Sequence, residues 1–201
     1  ILNSFKKLFA REYLYEILSL LYDAKLLGNI IAYYKHIEYL PQFDGYHHFP
    51  VDLHSIECVK HLEDIKNDFL KELYISLSQN QQTILKLAVF MHDFGKGRHK
   101  DHSIVGEGIF KKFGKKLGFS PNEIDMGARL VRHHLIMNST ASREDIYNEN
   151  TLLLFATKIQ NVETLNLLFL LTYSDIKGVG EDKFTKFLER LLFRLYNNVL
   201  N

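Results

Sequence analysis

The feature that most constrains this chain is an apolar run that ends in two adjacent polar ligand types. Thr83 to Met91 has the length and composition of a buried helix, and His92-Asp93 follows it directly. An unpaired carboxylate in a buried position is costly, so a fold built around this helix must bring a partner to its end. A divalent metal is one such partner, because imidazole nitrogen and carboxylate oxygen both ligate zinc, manganese or iron. Gly95 and Gly97 allow a tight exit from the helix. Between them Lys96 is a point charge suited to an anionic substrate.

The rest of the chain reads as all-α. Residues 1–40 carry helix spacing through Leu8, Phe9, Tyr13, Leu14, Ile17, Leu18 and Leu21, with Gly28-Asn29 as an expected break. Pro41 to Pro50 reads as a loop, and Asp52 as the N-cap of a helix that carries His54 in its first turn. After the basic loop Gly95 to Lys100, a helix is expected from about Ser103 to Lys116, with Gly106 and Gly108 marking close backbone packing. Ser120-Pro121-Asn122-Glu123 is a helix start, with Ser at N-cap, Pro at N1 and Glu at N3. That helix leads to His133-His134. A polar stretch from Asn138 to Asn150 follows, where Ser142 and Asp145 are expected to cap a short turn. Further helices are expected over Thr151 to Ile159, from Asn161 through Asp175, and over Glu181 to Leu200. No convincing strand, repeat or low-complexity segment is seen.

Composition removes several function classes. With 25 basic and 24 acidic residues, a large nucleic-acid footprint is not indicated. Cys58 is the single cysteine, which excludes an internal disulfide and fits a reducing cytosol, so a cytoplasmic location is expected. No run is long enough to cross a membrane, and no secretory signal is visible. The chain begins with Ile1, and is expected to be a piece of something longer.

Ten histidines are present, and their placement matters more than their number. His54, His92, Asp93, His102, His133, His134 and Asp175 each fall at or near a helix end or first turn. If the helices form a bundle, those ends can converge on one cavity. One divalent ion takes four to six ligands, so this set suggests two ions, with Asp93 as the natural bridge between them. His133 and His134 are roughly 100° apart on a helix, so at least one of them faces a second metal. His36, His61 and His99 read as surface or packing histidines.

Four strings carry a resemblance. They are Tyr46-His47-His48-Phe49-Pro50-Val51-Asp52-Leu53-His54, then His92-Asp93-Phe94-Gly95-Lys96-Gly97-Arg98 with Asp101-His102-Ser103, then Leu130-Val131-Arg132-His133-His134-Leu135, and Ser174-Asp175-Ile176-Lys177. In order, they resemble the HD-domain metal-dependent phosphohydrolase superfamily. Within it they look like the HD domain of the bifunctional uridylyltransferase/uridylyl-removing enzymes, which act on the nitrogen-signalling PII protein.

The resemblance implies an HD helical bundle over residues 41–180, with 1–40 as a helical extension and 181–201 as a packed C-terminal helix. It implies hydrolysis of the tyrosyl-UMP phosphodiester of uridylylated PII, with UMP as product and two divalent ions (manganese, iron or zinc) as cofactors. Asp93 and Lys96 would be catalytic. Lys96 would contact substrate; Arg98 reads as a solvated charge with phosphate contact as the lesser alternative, and His47 reads equally as a substrate contact or as a loop residue. The loop before His54 is shorter than the family's usual form, and these 201 residues contain neither a nucleotidyltransferase nor an ACT domain, so UMP transfer and glutamine sensing are not expected of them. The rival readings are an HD hydrolase of a free nucleotide or cyclic dinucleotide, and a non-catalytic regulatory module. Leu135 to Ser139 follow the paired histidines where the cyclic-di-GMP branch carries a Gly-Tyr-Pro signature.

Overall fold

The buried helix is where the pattern places it. In the computed structural model, which describes residues 2–42 and 49–201, helix α6 spans Gln79–Met91 and buries every residue from Thr83 to Met91. Its start is a capping box. Ser78 Oγ accepts from the Gln81 backbone N–H at 3.3 Å, and Gln81 Oε1 accepts from the Ser78 N–H at 2.7 Å. The one charged residue on its buried length is Lys86, whose Nζ lies 2.8 Å from Glu63 Oε1 and also donates to the backbone carbonyls of Arg11 and Glu12. Burying a charge without such partners would be prohibitive.

Helices surround α6 on all sides, and no strand occurs among the described residues. Before it come α1 (Leu2–Phe9), α2 (Leu14–Asp23), α3 (Leu27–Ile30), α4 (Val51–Glu63) and α5 (Asp68–Ser76), with a 3-10 turn at Tyr34–His36. After it come α7 (His102–Lys116), α8 (Pro121–Arg132), α9 (Ile136–Arg143), α10 (Glu149–Ile159), α11 (Val162–Val179) and α12 (Lys186–Leu200). Helices α4 and α11 pack against each other and on α6. The α7–α8 pair also packs on α6, chiefly through α8, which meets α11 as well, and α12 covers α9, α10 and α11.

Several local readings hold, and four are corrected. Ser120 caps α8 with Glu123 reciprocating at 2.7 Å, and Asn161 caps α11 by accepting from the Thr164 N–H at 2.8 Å. Asp52 is not an N-cap. Pro50 holds that position, while the buried Asp52 carboxylate in the first turn of α4 accepts from the Tyr39 N–H at 2.8 Å. The break before residue 40 is not at Gly28, which lies inside α3, but at Ala10–Tyr13 and at Lys25, whose φ is 55°. Close packing holds for Gly106, where an added Cβ would lie 2.9 Å from Val131 Cγ1; around Gly108 there is open space. In the polar stretch Asp145 caps a short turn as expected, accepting from the Tyr147 N–H at 3.0 Å, but Ser142 does not, since it lies inside α9, and Asn148 caps the helix that follows.

Residues 5–37 share the core of the rest. Phe5, Phe9, Leu14, Leu18, Ile31 and Tyr34 are buried in the same apolar cluster as α6. Tyr34 stacks on Phe90 at a centroid distance of 6.0 Å and meets the edge of Phe94 at 5.9 Å. Phe94 follows Asp93, so this packing supports the exit of the central helix.

Candidate metal centre

Five elements deliver polar side chains to one place. His54 comes from the first turn of α4, His92 from the C-cap of α6, and Asp93 from the residue after it. His102 is the first residue of α7, His134 lies two residues past the end of α8, and Asp175 is near the end of α11. Asp101 sets the start of α7 by accepting from the Ser103 N–H at 2.8 Å, and this places His102 one residue earlier in the helix than the spacing suggested. Gly95 lets the loop approach: an added Cβ would sit 1.9 Å from the His102 carbonyl oxygen.

The Asp93 carboxylate, 2% exposed, divides the cluster. On the Oδ2 side stand Lys96 Nζ at 2.7 Å, His92 Nε2 at 3.4 Å and His54 Nε2 at 3.8 Å. On the Oδ1 side stand His102 Nε2 and His134 Nε2, both at 3.7 Å. Asp175 Oδ1 completes the first side, 3.0 Å from His54 Nε2 and 3.4 Å from His92 Nε2. Ligand atoms of His54, Cys58, His92 and Asp175 lie within 4.8 Å of one another, and so do those of Asp93, His102 and His134.

Backbone carbonyls aim two of the imidazoles. His92 Nδ1 lies 2.7 Å from the Val89 oxygen, and His134 Nδ1 lies 2.8 Å from the Val131 oxygen. A ring that donates Nδ1–H to a carbonyl turns its Nε2 lone pair to the centre, as metal-ligating histidines do. His102 Nε2 and His134 Nε2 are 3.3 Å apart. His92 Nε2 and Asp93 Oδ1 are buried without a hydrogen-bond partner. Orphaned atoms of this kind need an explanation, and a divalent cation bound by nitrogen and carboxylate oxygen fits both.

Electrostatics agree with that fit. Burial pulls the His92 imidazole down, but Asp93 and Asp175 outweigh it and hold it up at about 10. Burial also raises the two carboxylates, yet the surrounding imidazoles, with Lys96 beside Asp93, keep both well below the usual range. His134 is pushed down to about 4, first by burial and then by His92. The site therefore combines ionised carboxylates with a neutral His134 imidazole, and holds on His92 a proton that a divalent cation would displace on binding.

Not every expected residue arrives. His133 lies outside both groups. As the C-cap of α8 it stands among Arg132, Lys158 and Arg129, which together with burial lower its imidazole. Only one of two helical neighbours can face a given point, and the Val131 carbonyl selects His134. The Arg98 Nη1 donates to the Phe94 carbonyl at 2.6 Å, closing the loop rather than facing the carboxylates. His47 lies outside the described residues. His61 is buried, with its Nδ1 3.9 Å from Glu181 Oε1, and His36 bonds the Gly97 carbonyl at 3.3 Å. Cys58 was not anticipated. Its Sγ lies 3.4 Å from His54 Nε2, and the four-residue spacing from His54 along α4 was the available signal.

The side chains of Lys96, His102 and Asp175 are 24%, 27% and 18% exposed, while those of His54, His92, Asp93 and His134 are almost fully covered. Solvent therefore reaches the cluster at these three side chains, two of which, Lys96 and His102, lie in or beside the Gly95–Lys100 loop.

Comparison with known proteins matches the HD domain family over residues 51–165. The chain is 34% identical over 180 residues to the bifunctional uridylyltransferase/uridylyl-removing enzyme of Bradyrhizobium diazoefficiens, covering 87% of this chain and 19% of that protein. It is 35% identical over 185 residues to the enzyme of the same name from Zymomonas mobilis, covering 90% and 20%. The Nitrobacter winogradskyi enzyme is 34% identical over 180 residues, covering 87% and 20%. The chain thus spans about a fifth of the length of these relatives.

Proposed function

Because this chain belongs to the HD domain family, we propose that it is the hydrolytic part of a larger enzyme and removes UMP from uridylylated PII protein. The observation that carries the hydrolase reading is the two-sided Asp93 carboxylate, with one ligand group at each oxygen. In this reading His54, His92 and Asp175 would hold one divalent ion and His102 and His134 the other, with Asp93 available to both. Manganese, iron and zinc all suit such mixed ligation. Two such ions, when bound, would supply a water of lowered pKa as the nucleophile.

The chain's own residues supply the rest. Lys96, half-buried beside Asp93, directs charge to the phosphoryl oxygens, where negative charge gathers during attack. The water oxygen bonds to phosphorus, the bond from phosphorus to the tyrosyl oxygen breaks, and the tyrosyl oxygen leaves as the phenol with the proton that the water gives up. Arg98 supports this edge by holding the loop through the Phe94 carbonyl. His47 enters as a substrate contact from the string it belongs to. Residues 1–40 serve as a helical extension of the 41–180 domain, and 181–201 as its C-terminal cover. The uridylyl specificity draws on the names of the relatives, and PII as substrate on the sequence resemblance. No described helix is long and apolar enough to cross a membrane.

The test is to load the protein with manganese, iron or zinc, incubate it with uridylylated PII, and measure UMP. Release of UMP supports the reading. Rapid cleavage of a free nucleotide or cyclic dinucleotide with none of PII-UMP would leave the hydrolase and remove the uridylyl assignment.

A further inference from the structure

Lys96 has a long, flexible stem, and a lysine ammonium alone is a mobile point charge. Here two acceptors hold it. Asp93 Oδ2 lies at 2.7 Å and Gln42 Oε1 at 2.6 Å. Gln42 is itself fixed, since its Nε2 donates to the Phe49 carbonyl at 3.2 Å. The orientation of this amide follows from chemistry: an ammonium only donates and a carbonyl only accepts, so Oε1 must face Lys96 and Nε2 must face Phe49. Phe49 precedes Pro50, the N-cap of α4, and the Val51 N–H bonds the Leu40 carbonyl at 2.9 Å. The amide is therefore mounted on the head of the helix that carries His54.

We propose that Gln42 is a positioning residue that fixes the Lys96 ammonium, so that its third N–H points at the phosphoryl group of the substrate; this rests on the hydrolase reading above. Gln42 is neutral, and its hold does not depend on the charge that Asp93 shares with other groups. It also ties the lysine to α4 rather than only to its own loop. A lysine held at one point could swing away from phosphorus, and misplacement of a catalytic group lowers turnover without lowering ground-state affinity to the same degree.

The test uses the metal-loaded protein and the 4-nitrophenyl ester of UMP, an aryl phosphodiester, with Gln42→Leu and Gln42→Glu. The leucine variant loses the acceptor, while the glutamate variant keeps it. We expect Gln42→Leu to lower kcat about 10-fold, less than the ~10²–10³ for losing a charge-stabilising donor outright. KM should rise no more than several-fold, bound metal and melting temperature should stay near wild type, and Gln42→Glu, which keeps the acceptor but not the N–H to Phe49, should recover part of the rate. An unchanged kcat in Gln42→Leu, or an equal loss in both variants, overturns the inference. A second arm reads binding of inorganic phosphate to the metal-loaded proteins by calorimetry. If wild type hydrolyses nothing, the hydrolase reading fails, and this arm alone decides: several-fold weaker phosphate binding in Gln42→Leu with rescue by Gln42→Glu keeps the Lys96–Gln42 relationship, and equal binding removes it.

Discussion

Asp93 and Asp175 share one imidazole: Asp93 Oδ2 and Asp175 Oδ1 each lie 3.4 Å from His92 Nε2. These carboxylates come from α11 and from the exit of α6, elements far apart in sequence. Two ionised carboxylates on one buried nitrogen form an arrangement that only added positive charge can settle. A proton on His92, held there by both carboxylates, is one way, and a divalent cation that displaced it would be another, with these three groups as its ligands. The predictions below follow from that arrangement and its surroundings.

Metal content should follow the two sides of Asp93. The loaded protein is expected to hold two divalent ions per chain, one for each ligand group. Asp93→Ala should lose most of both, because its oxygens serve the two groups. His134→Ala should lose mainly the ion on the Oδ1 side. Elemental analysis of gently purified and reconstituted protein checks this. Full retention of metal by Asp93→Ala would falsify the bridging role.

The paired histidines should behave differently. His133→Ala should keep its metal and its turnover, since that side chain stands with Arg132, Lys158 and Arg129 rather than in a ligand group. Comparing metal content of the two single alanine variants decides the matter. Equal loss in both would place His133 in the centre after all.

Lys96 should separate binding of metal from turnover. It touches Asp93 but supplies no ligand of its own, so Lys96→Ala should retain metal and lose about 10²–10³ in rate, the scale for one charge-stabilising donor. Steady-state kinetics beside elemental analysis measure both quantities. A variant with normal turnover would take Lys96 out of the mechanism.

A different end of the bundle should govern stability. Glu63 accepts from Lys86 at 2.8 Å and from the Leu14 and Tyr15 N–H groups at 2.8 and 3.0 Å, which joins α2, α4 and α6. Lys86→Ala leaves a largely buried carboxylate and the Arg11 carbonyl without their cation, and should destabilise the protein by about 3 kcal/mol. Lys86→Met with Glu63→Gln should lose less, because no charge is stranded. Urea denaturation of both variants provides the comparison, and a Lys86→Ala protein as stable as wild type would contradict it.

The sequence by itself determined what local chemistry decides. Helices begin at Ser120 and Asn161 because a side chain there bonds a backbone N–H three residues on, an interaction that needs no distant partner. The buried run of α6 and the polar pair at its end were legible for the same reason, as was the convergence of ligand types at helix ends. Tertiary structure decided the phases. Which of His133 and His134 faces the centre depends on how α8 is rotated against α6 and α7, and the ring of His134 is then held by a carbonyl of its own turn. The division of the ligands between the two oxygens of Asp93, the arrival of Cys58 beside His54, and the amide of Gln42 on Lys96 all depend on where separate helices stop against one another. Asp52 shows the limit most simply. It has the composition of a cap, but it lies two residues past the cap position, packing buries it, and the Tyr39 N–H from a neighbouring segment takes its carboxylate instead. A side chain's local options are written in its neighbours along the chain, and the option taken depends on partners that only the packed core brings within reach.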